Sequence, residues 1–167
     1  DTELFHPVNK EIKQKLRKKY KLSLEKPIII FVGRLVEKKG YNQLFEARNK
    51  DYLIIFAGGG EVPKHMKESK DVLFFGELTQ EKLSELYQLS DIFVLPSHGE
   101  GFPLSIQEAM ASGLPVITTN EPHYKKYIDS SNAVLINPNS NEIKKNIVKL
   151  LQNKNKRLIL SKNGRKR

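Results

Sequence analysis

The chain has 167 residues, which suits a single domain, residues 1–167, and is long enough to bury a sizeable core. Its composition, 38% hydrophobic and 29% charged residues, is that of a soluble globular protein and argues against a disordered one. The absence of cysteine excludes disulfides and thiolate metal ligands. No apolar run approaches the roughly 20 residues of a membrane-spanning helix, and no stretch resembles a signal peptide.

The formal net charge of +10 permits an anionic partner without identifying one. Nucleic acid, an anionic membrane surface and a phosphorylated ligand would each be attracted to such a chain. Of the 29 basic residues 23 are Lys and only 6 are Arg, which favours a general compositional preference over a dedicated site. No pattern of a nucleic-acid-binding module is present, so we expect no nucleic-acid partner.

Helical and β-rich segments alternate along the chain. A first helix is predicted near residues 9–21, and later helices near 39–49, 79–89, 103–112 and 140–152, with a last one after 155. Short, nearly continuous apolar runs predict six strands that are buried on both faces, at 27–33, 52–58, 72–76, 91–97, 114–119 and 133–136. This alternation predicts a doubly wound, Rossmann-like α/β domain with a parallel six-stranded sheet.

Capping residues support two of these helices. Thr79 precedes the 79–89 helix and is expected to cap its first turn. Gly113 follows the segment QEAMAS and is expected to end the 103–112 helix.

Glycine and polar residues follow the predicted strands, where a parallel topology brings them to one edge of the sheet. Ligands of open α/β sheets bind in the crevice outside this carboxyl edge. Glycine there permits either a tight turn or the close approach of backbone N–H groups to a phosphate. For Gly58 to Gly60 the plain turn is favoured, because a triple glycine lacks the spacing of the dinucleotide fingerprint.

The segment VGRLVEKKG, residues 32–40, is a more specific indication of an anion site. Arg34 leaves the first strand, and Lys39 lies where the next helix is expected to begin. A cation at a helix N-terminus interacts unfavourably with the helix dipole, at a cost of roughly 0.3 to 1 kcal/mol. An anion held between Arg34, Lys39 and the helix end would remove this unfavourable interaction. Arg suits bidentate phosphate recognition and Lys supplies a mobile point charge. The alternative is that Lys38 and Lys39 form an ordinary solvated pair.

Two glutamates, Glu100 and Glu108, flank a Gly-Phe-Pro turn in EGFPLSIQEAMASGLPVI, residues 100–117. Paired carboxylates can serve as the acid and base of a glycoside hydrolase, which places them across the scissile bond. Glu108, however, would lie in a helix about 7 Å beyond Pro103, at 1.5 Å per residue. We therefore interpret the two as separate binding contacts, with exposed, purely structural glutamates as the alternative.

With these motifs in this order, nearly the whole chain resembles the C-terminal, nucleotide-sugar-binding half of the family 4 retaining glycosyltransferases of the GT-B fold. GRLVEKKG and the Glu-x7-Glu motif carry the resemblance. DTELFHP is similar to the segment that opens this domain, and LSELYQLSDIFVLPS to the helix and strand that lead into the acidic motif. The resemblance implies a hexosyltransferase that uses a nucleotide-sugar donor, expected to be UDP-glucose.

The resemblance also implies a role for each motif residue. Arg34 and Lys39 would bind the donor diphosphate and stabilise the leaving group, Glu108 would accept hydrogen bonds from the ribose, and Glu100 would lie beside the transferred sugar. The catalytic residues implied are Glu100, Arg34 and Lys39. The donor-binding residues implied are Gly33, Arg34, Lys39, Gly58, Gly76, Leu78, Glu100, Gly101, Phe102, Pro103, Leu104 and Glu108, with the base near Gly76 to Leu78.

We expect neither a metal nor a cofactor. Fixed donors in a cleft can stabilise a leaving diphosphate without a metal. The sequence has no Asp-x-Asp motif, and its four histidines and scattered acids show no ligand spacing.

One departure from the family concerns the sugar pocket. Many relatives carry Gly-Gly and then Glu shortly after the fifth strand, but this chain reads TTNEPHYKKYI at residues 118–128. The loop near the transferred sugar is therefore expected to differ.

The resemblance further implies that an N-terminal acceptor domain and a final crossover helix lie outside this chain, and that the isolated domain transfers little or no sugar. The acceptor would be a lipid, a sterol or a glycan. The expected location is the cytoplasm, peripheral at the inner face of a bacterial membrane.

Two other functional classes stay open. A nucleotide-sugar epimerase can share the fold and would convert its substrate without an acceptor. The basic segment KEIKQKLRKKYKL, residues 10–22, could instead bind an anionic membrane or nucleic acid. Its apolar residues Ile12, Leu16 and Tyr20 recur on one helix face, which would dock either on lipid or, as we favour, on the domain's own sheet.

Overall fold

A computed structural model describes residues 1–99 and 101–166. Its centre is a six-stranded, all-parallel sheet in the order β3-β2-β1-β4-β5-β6. The strands are β1 Ile28–Val32, β2 Leu53–Ala57, β3 Val72–Gly76, β4 Ile92–Leu95, β5 Val116–Thr119 and β6 Val134–Ile136. The predicted Rossmann-like, doubly wound α/β fold is confirmed, and each predicted strand contains an observed one.

The helices are α1 Lys10–Lys19, α2 Tyr41–Glu46, α3 Lys64–Lys67, α4 Gln80–Leu89, α5 Leu104–Ala111, α6 Ser140–Leu151 and α7 Lys154–Arg165. In the packing of these helices on the sheet, α1 contacts α4, α2 contacts α6, and α7 contacts α5 and α6. None of the described helices combines the length and apolarity that are needed to cross a bilayer.

Burial along the strands explains why their apolar runs are nearly continuous. Every residue of β1, β4 and β5 is buried, because these strands have a neighbour on each side and are covered on both faces. The edge strand β3 has one neighbour and leaves Leu73 exposed. The strand order reverses between β1 and β4, and this is the position where an open α/β sheet leaves a crevice for a ligand.

The basic first helix packs on its own domain, which supports the interpretation we favoured over lipid docking for this segment. Asn9 caps α1 by accepting a hydrogen bond from the Ile12 N–H at 2.9 Å. Leu16 and Tyr20 pack against the core, and the Tyr20 ring meets Phe75 edge-on with ring centroids 6.0 Å apart. Ile12 alone of the three predicted apolar positions is exposed.

An ion cluster fixes α1 to the amino edge of the sheet. Arg17 is 3% exposed and donates to Asp91 Oδ2 at 2.7 Å and to the Leu89 carbonyl at 3.0 Å. Asp91 also accepts from the Lys13 ammonium at 2.5 Å and from the Ile28 N–H at 2.8 Å. Burial acts to raise the pKa of Asp91, but Lys13, Arg17 and the Ile28 N–H together hold it below its ordinary value. Asp91 therefore stays ionised and joins the starts of β1 and β4 to α1.

Both predicted capping residues are confirmed. The Thr79 hydroxyl accepts from the Lys82 N–H at 3.3 Å at the start of α4. At the end of α5 the Gly113 N–H donates to the Met110 carbonyl and the Leu114 N–H donates to the Ala109 carbonyl, both at 3.0 Å. This pair of bonds is a Schellman motif.

The region after β1 differs from its prediction. The helix predicted over 39–49 is only α2, because a 3-10 turn occupies Glu37–Lys39 and Gly40 separates the two at a φ of 78°. The four-residue α3 and a 3-10 turn over Pro122–Lys126 were not predicted, since such short elements show no apolar periodicity.

Candidate functional site

The loops that follow β1 and β4 are joined directly at the point where the strand order reverses. The His98 N–H donates to the Lys38 carbonyl at 2.9 Å. Gly40 packs on the end of β4 so closely that a Cβ there would overlap the Pro96 carbonyl oxygen. The two loops are far apart in sequence, but they meet in space because β1 and β4 are neighbours in the sheet. The two motifs that define the predicted site thus meet at the crevice.

Lys39 is folded back over the end of β1. A Cβ built on Gly33 would lie 3.6 Å from Cδ of Lys39, so the aliphatic stem of Lys39 covers Gly33. Arg34 is exposed, and among the described residues no hydrogen bond or ion pair involves its guanidinium. Two cations therefore lie within one loop at the carboxyl edge, as the sequence predicted for an anion site.

The predicted helix start at Lys39 was wrong. Lys39 is the last residue of the 3-10 turn, and α2 begins two residues later, at Tyr41. The physical reason is Gly40, whose left-handed backbone interrupts the helix and whose missing Cβ allows the close approach to Pro96. The argument from an opposed helix dipole at Lys39 consequently falls away, while the loop's two cations remain.

Gly58 holds the loops after β1 and β2 together. Its φ is 141°, and a Cβ there would overlap the Gly33 carbonyl oxygen. Its N–H donates to the Gly76 carbonyl at 2.8 Å, which links the loop after β3 to the same stack. This geometry favours the packing interpretation of Gly58. Gly76 itself is exposed with open space around it, and Leu78 beside it is half-buried.

Among the described residues, no side chain caps the start of α5, whereas a side chain caps each of the other long helices. Asn9, Thr79, Asn139 and Asn153 each cap the helix that they precede. At α5 the N-cap residue is Pro103, which offers no side-chain acceptor to the first-turn N–H groups. Such N–H groups, with the helix dipole behind them, favour an anionic ligand. Gly101 precedes the helix with nothing within 4 Å of a Cβ built on it. Glu100 lies outside the described residues.

An aromatic cluster supports the turn that leads into α5. Phe102 stacks on Tyr127 with ring centroids 4.6 Å apart and meets Tyr124 edge-on at 5.6 Å. The buried Tyr124 hydroxyl lies 3.1 Å from the Ser97 hydroxyl at the end of β4. Tyr124 and Tyr127 of the segment 118–128 thus pack against the Gly-Phe-Pro turn. Sequence reasoning missed this cluster, and its only signal was the presence of two tyrosines in that segment.

Glu108 is buried in α5 and has one side-chain hydrogen-bond partner among the described residues. The side chain is 7% exposed, and the Tyr87 hydroxyl donates to its Oε2 atom at 3.0 Å. Burial raises the pKa of Glu108 above its ordinary value, and the hydrogen bond from Tyr87 opposes part of that rise. Burial and the nearby Glu108 also raise the pKa of Tyr87 well above its ordinary value, so the phenol remains a donor. The alternative that Glu108 is an exposed helix residue is wrong.

Glu108 lines a cavity of about 640 Å³ together with two other predicted residues, Phe102 and the exposed Leu104. Phe5 and Tyr127 contribute apolar surface to the same cavity. The predicted residues of the β1, β2 and β3 loops do not line it. The structure therefore groups the predicted residues in two sets, one around the joined loops after β1 and β4 and one along α5. The described residues include no group of three metal-ligand side chains placed to hold an ion.

A family model described as "Glycosyl transferases group 1" matches residues 12–167 of this chain. The GDP-mannose-dependent alpha-mannosyltransferase of Corynebacterium glutamicum is 38% identical over 119 residues, 70% of this chain and 28% of the relative. The alpha-galactosylglucosyldiacylglycerol synthase of Streptococcus pneumoniae is 29% identical over 142 residues, 77% of this chain and 38% of the relative. The chain thus spans about a third of the length of these relatives.

The fold also occurs in solved structures. The crystal structure of Anabaena Alr3699/HepE, in complex with UDP and glucose, superposes with a TM-score of 0.86 over 99% of this chain and 49% of that one, at 19% identity. An identity this low shows the shared fold alone. Because the family model covers nearly the whole chain, however, the chain belongs to the group 1 glycosyltransferases.

Proposed function

We propose that the chain is the donor-binding domain of a retaining hexosyltransferase that transfers glucose from UDP-glucose to a lipid, sterol or glycan acceptor. The observation that carries the proposal is the direct joining of the Arg34–Gly40 loop to the loop after β4, at the reversal of the strand order. A nucleotide sugar bound in this crevice would meet the cations Arg34 and Lys39 and the first-turn N–H groups of α5 together.

The chemistry of glycosyl transfer suits these groups. Breaking the anomeric C–O bond leaves negative charge on the diphosphate and builds positive character on the sugar. Arg34, Lys39 and the uncapped start of α5 would stabilise the diphosphate as it leaves. Glu100 is proposed to lie beside the sugar, where its carboxylate has the sign that opposes an oxocarbenium-like centre.

Glu108 is proposed to bind the ribose. An ionised carboxylate accepts hydrogen bonds from two vicinal hydroxyls, and the single donor from Tyr87 leaves most of its acceptor capacity available. Partial burial strengthens such contacts because the local dielectric is low. The base would lie by the exposed turn from Gly76 to Leu78.

The donor has a second candidate in GDP-mannose. A relative that is 38% identical is named as GDP-mannose-dependent, whereas the HepE structure was solved with UDP and glucose. We favour UDP-glucose, which the motif resemblance implies. The family assignment favours glycosyl transfer over the alternative of a nucleotide-sugar epimerase.

The acceptor is proposed to bind a domain that this chain does not include. A lipid or sterol is supported by the Streptococcus relative, which is named as a glycosyldiacylglycerol synthase, and by a resemblance to the bacterial cholesterol α-glucosyltransferases. The whole enzyme is proposed to work in the cytoplasm at the inner face of the membrane, where a water-soluble donor and a lipid acceptor can meet. The isolated domain should bind the nucleotide without needing a metal ion. It should transfer little or no sugar.

Isothermal titration calorimetry of the chain with UDP, UDP-glucose, GDP and GDP-mannose tests the proposal. UDP and UDP-glucose should bind more tightly than the guanosine compounds. The Arg34→Ala, Lys39→Ala double variant should weaken UDP binding by about tenfold or more, because charge-assisted hydrogen bonds contribute roughly 1.5 to 3 kcal/mol each. Lys38→Ala is the matched control, since Lys38 contributes its backbone carbonyl to the loop contact and its side chain is exposed.

Unchanged UDP binding by the double variant would contradict the diphosphate assignment. Tighter binding of GDP-mannose would identify GDP-mannose, and not UDP-glucose, as the donor and would leave the proposal of glycosyl transfer unchanged. The absence of binding by all four compounds would overturn the donor-binding function itself.

A further inference from the structure

The net charge of the chain is concentrated in its last 25 residues. Residues 143–167 contain ten basic residues and no acidic one, whereas residues 1–142 contain nineteen of each. The formal charge of +10 is therefore carried by residues 143–167, which include most of α6 and all of α7. Composition alone suggested a lysine-rich surface with evenly spread charge. The sequence positions show instead that the net charge is concentrated at one end of the chain.

One face of α7 is committed to the domain. Leu160 and Gly164 are buried, and a Cβ on Gly164 would lie 3.3 Å from Cγ of Met110 in α5. Arg157 donates to the Leu150 carbonyl at 2.8 Å and so covers the end of α6. These contacts fix which face of α7 is turned outward.

The opposite face of α7 carries an exposed aliphatic pair among basic side chains. Leu158 is 58% exposed and Ile159 is 56% exposed. Lys162 follows them by four and three residues, so it lies on the same helix face, and Lys166 lies one turn further along. We call Leu158, Ile159, Lys162 and Lys166 the α7 surface.

We propose that the α7 surface binds the anionic lipid headgroups of a bilayer. Lysines near such a membrane are attracted by its negative surface potential, and exposed aliphatic side chains enter the headgroup region. Charge complementarity alone would also suit a polynucleotide, but phosphate contacts do not require two adjacent exposed aliphatic residues. The segment 10–22 is not an equivalent surface, because Leu16 and Tyr20 pack inward against the core.

This inference goes beyond the donor site and does not depend on it. The α7 surface consists of residues of this chain alone. A domain that bound UDP as proposed and ignored vesicles would retain its proposed function and lose only this inference.

Vesicle flotation tests the proposal with the chain as it is. The probes are vesicles of phosphatidylcholine alone and of phosphatidylcholine mixed with phosphatidylglycerol. The chain should bind only the anionic vesicles, and added salt should weaken the binding through screening. Leu158→Ser with Ile159→Ser, and separately Lys162→Glu with Lys166→Glu, should each weaken binding by about tenfold or more. Lys64→Glu with Lys67→Glu reverses the same charge on exposed positions of α3 and should bind nearly as the parent does.

A fluorescence experiment locates the contact. Because the chain contains no tryptophan, Ile159→Trp adds a single indole to the α7 surface, and Leu24→Trp adds one at an exposed position elsewhere. Anionic vesicles should shift the emission of the first variant to shorter wavelength and leave the second unchanged. Circular dichroism of each variant confirms that it is folded.

Three results would overturn the proposal. The first is no binding of the parent chain to anionic vesicles. The second is an equal loss of binding on charge reversal in α3 and in α7, which would indicate net charge rather than a surface. The third is binding to duplex RNA or DNA that the α7 reversal abolishes while vesicles do not bind, which would identify a polynucleotide surface.

Discussion

Two carboxylates on either side of β4 occupy opposite electrostatic environments. Asp91 precedes the strand at the amino edge, where Lys13, Arg17 and the Ile28 N–H donate to it and hold its pKa below the ordinary value. Glu108 follows the strand in α5, where burial raises its pKa and Tyr87 is its one hydrogen-bond donor within the described part of the chain.

We propose that the difference separates a structural charge, Asp91, from a ligand-binding charge, Glu108. The hydrogen-bonding capacity of Asp91 is used within the protein, so the amino edge contributes stability. Among the described residues only Tyr87 donates a hydrogen bond to Glu108, which lines the cavity, so its remaining acceptor capacity is available to the donors of a ligand. Mutations at the two edges should therefore act on different properties, stability at the first and nucleotide binding at the second.

Asp91→Ala should have the largest effect on stability. It removes the partner of the buried Arg17 and leaves that guanidinium without a counter-charge, which costs about 3 to 5 kcal/mol of unfolding free energy. Urea denaturation measures the change. Lys15→Ala is the control, because its pair with Glu11 is exposed and such pairs contribute about 0 to 1 kcal/mol. Equal stability losses in the two variants would contradict the structural role of Asp91.

Gly40→Ala should come next and should affect both properties. The substitution places a Cβ on the Pro96 carbonyl and forces alanine into a left-handed backbone, which alone costs about 1 to 2 kcal/mol. Because the contact joins the two loops of the crevice, UDP affinity should fall as well. Gly101→Ala is the matched control for stability, since a Cβ there meets no atom within 4 Å. Unchanged urea midpoints and UDP affinity in Gly40→Ala would show that the loop junction is dispensable.

The smallest of these effects should be seen in the pH dependence of the unfolding free energy. The contributions of Asp91 and Glu108 to this dependence should have opposite signs. Asp91 has a folded pKa below its ordinary 3.8, so its contribution is complete above that value and is lost as the pH falls through the folded pKa. Glu108 has a folded pKa above its ordinary 4.5, so the unliganded protein loses stability as the pH rises from 4.5 through the folded pKa.

Denaturation midpoints between acid and neutral pH measure both contributions. Asp91→Asn should flatten the acid limb of the profile, and Glu108→Gln should remove the decline above pH 4.5. A Glu108→Gln profile that is parallel to that of the parent would contradict the account of the buried glutamate.

The sheet was predictable from sequence because burial on both faces requires continuous apolar runs. The six runs located all six strands, and Thr79 and Gly113 marked helix ends through local chemistry. The joined loops were predictable in outline for the same reason, since parallel strands bring their carboxyl ends to one edge.

The features that sequence reasoning missed depend on contacts between distant residues. Gly40 shortens α2 because of Pro96, which lies 56 positions further along the chain. Arg17 is one of several basic residues in its helix, and only the fold shows that it is the one placed against Asp91. Tyr87 and Glu108 meet only after α4 and α5 have packed on the sheet. The roles of the individual site residues stay predictions.

An NMR titration of the isotope-labelled chain with UDP tests the central claim, that the carboxyl edge binds the nucleotide while the amino edge serves stability. The account predicts that amide resonances of Gly33 to Gly40 and of the first turn of α5 shift on binding, and that those of Arg17, Ile28 and Asp91 stay in place. Shifts centred on the amino edge, or none at a high UDP concentration, would contradict it.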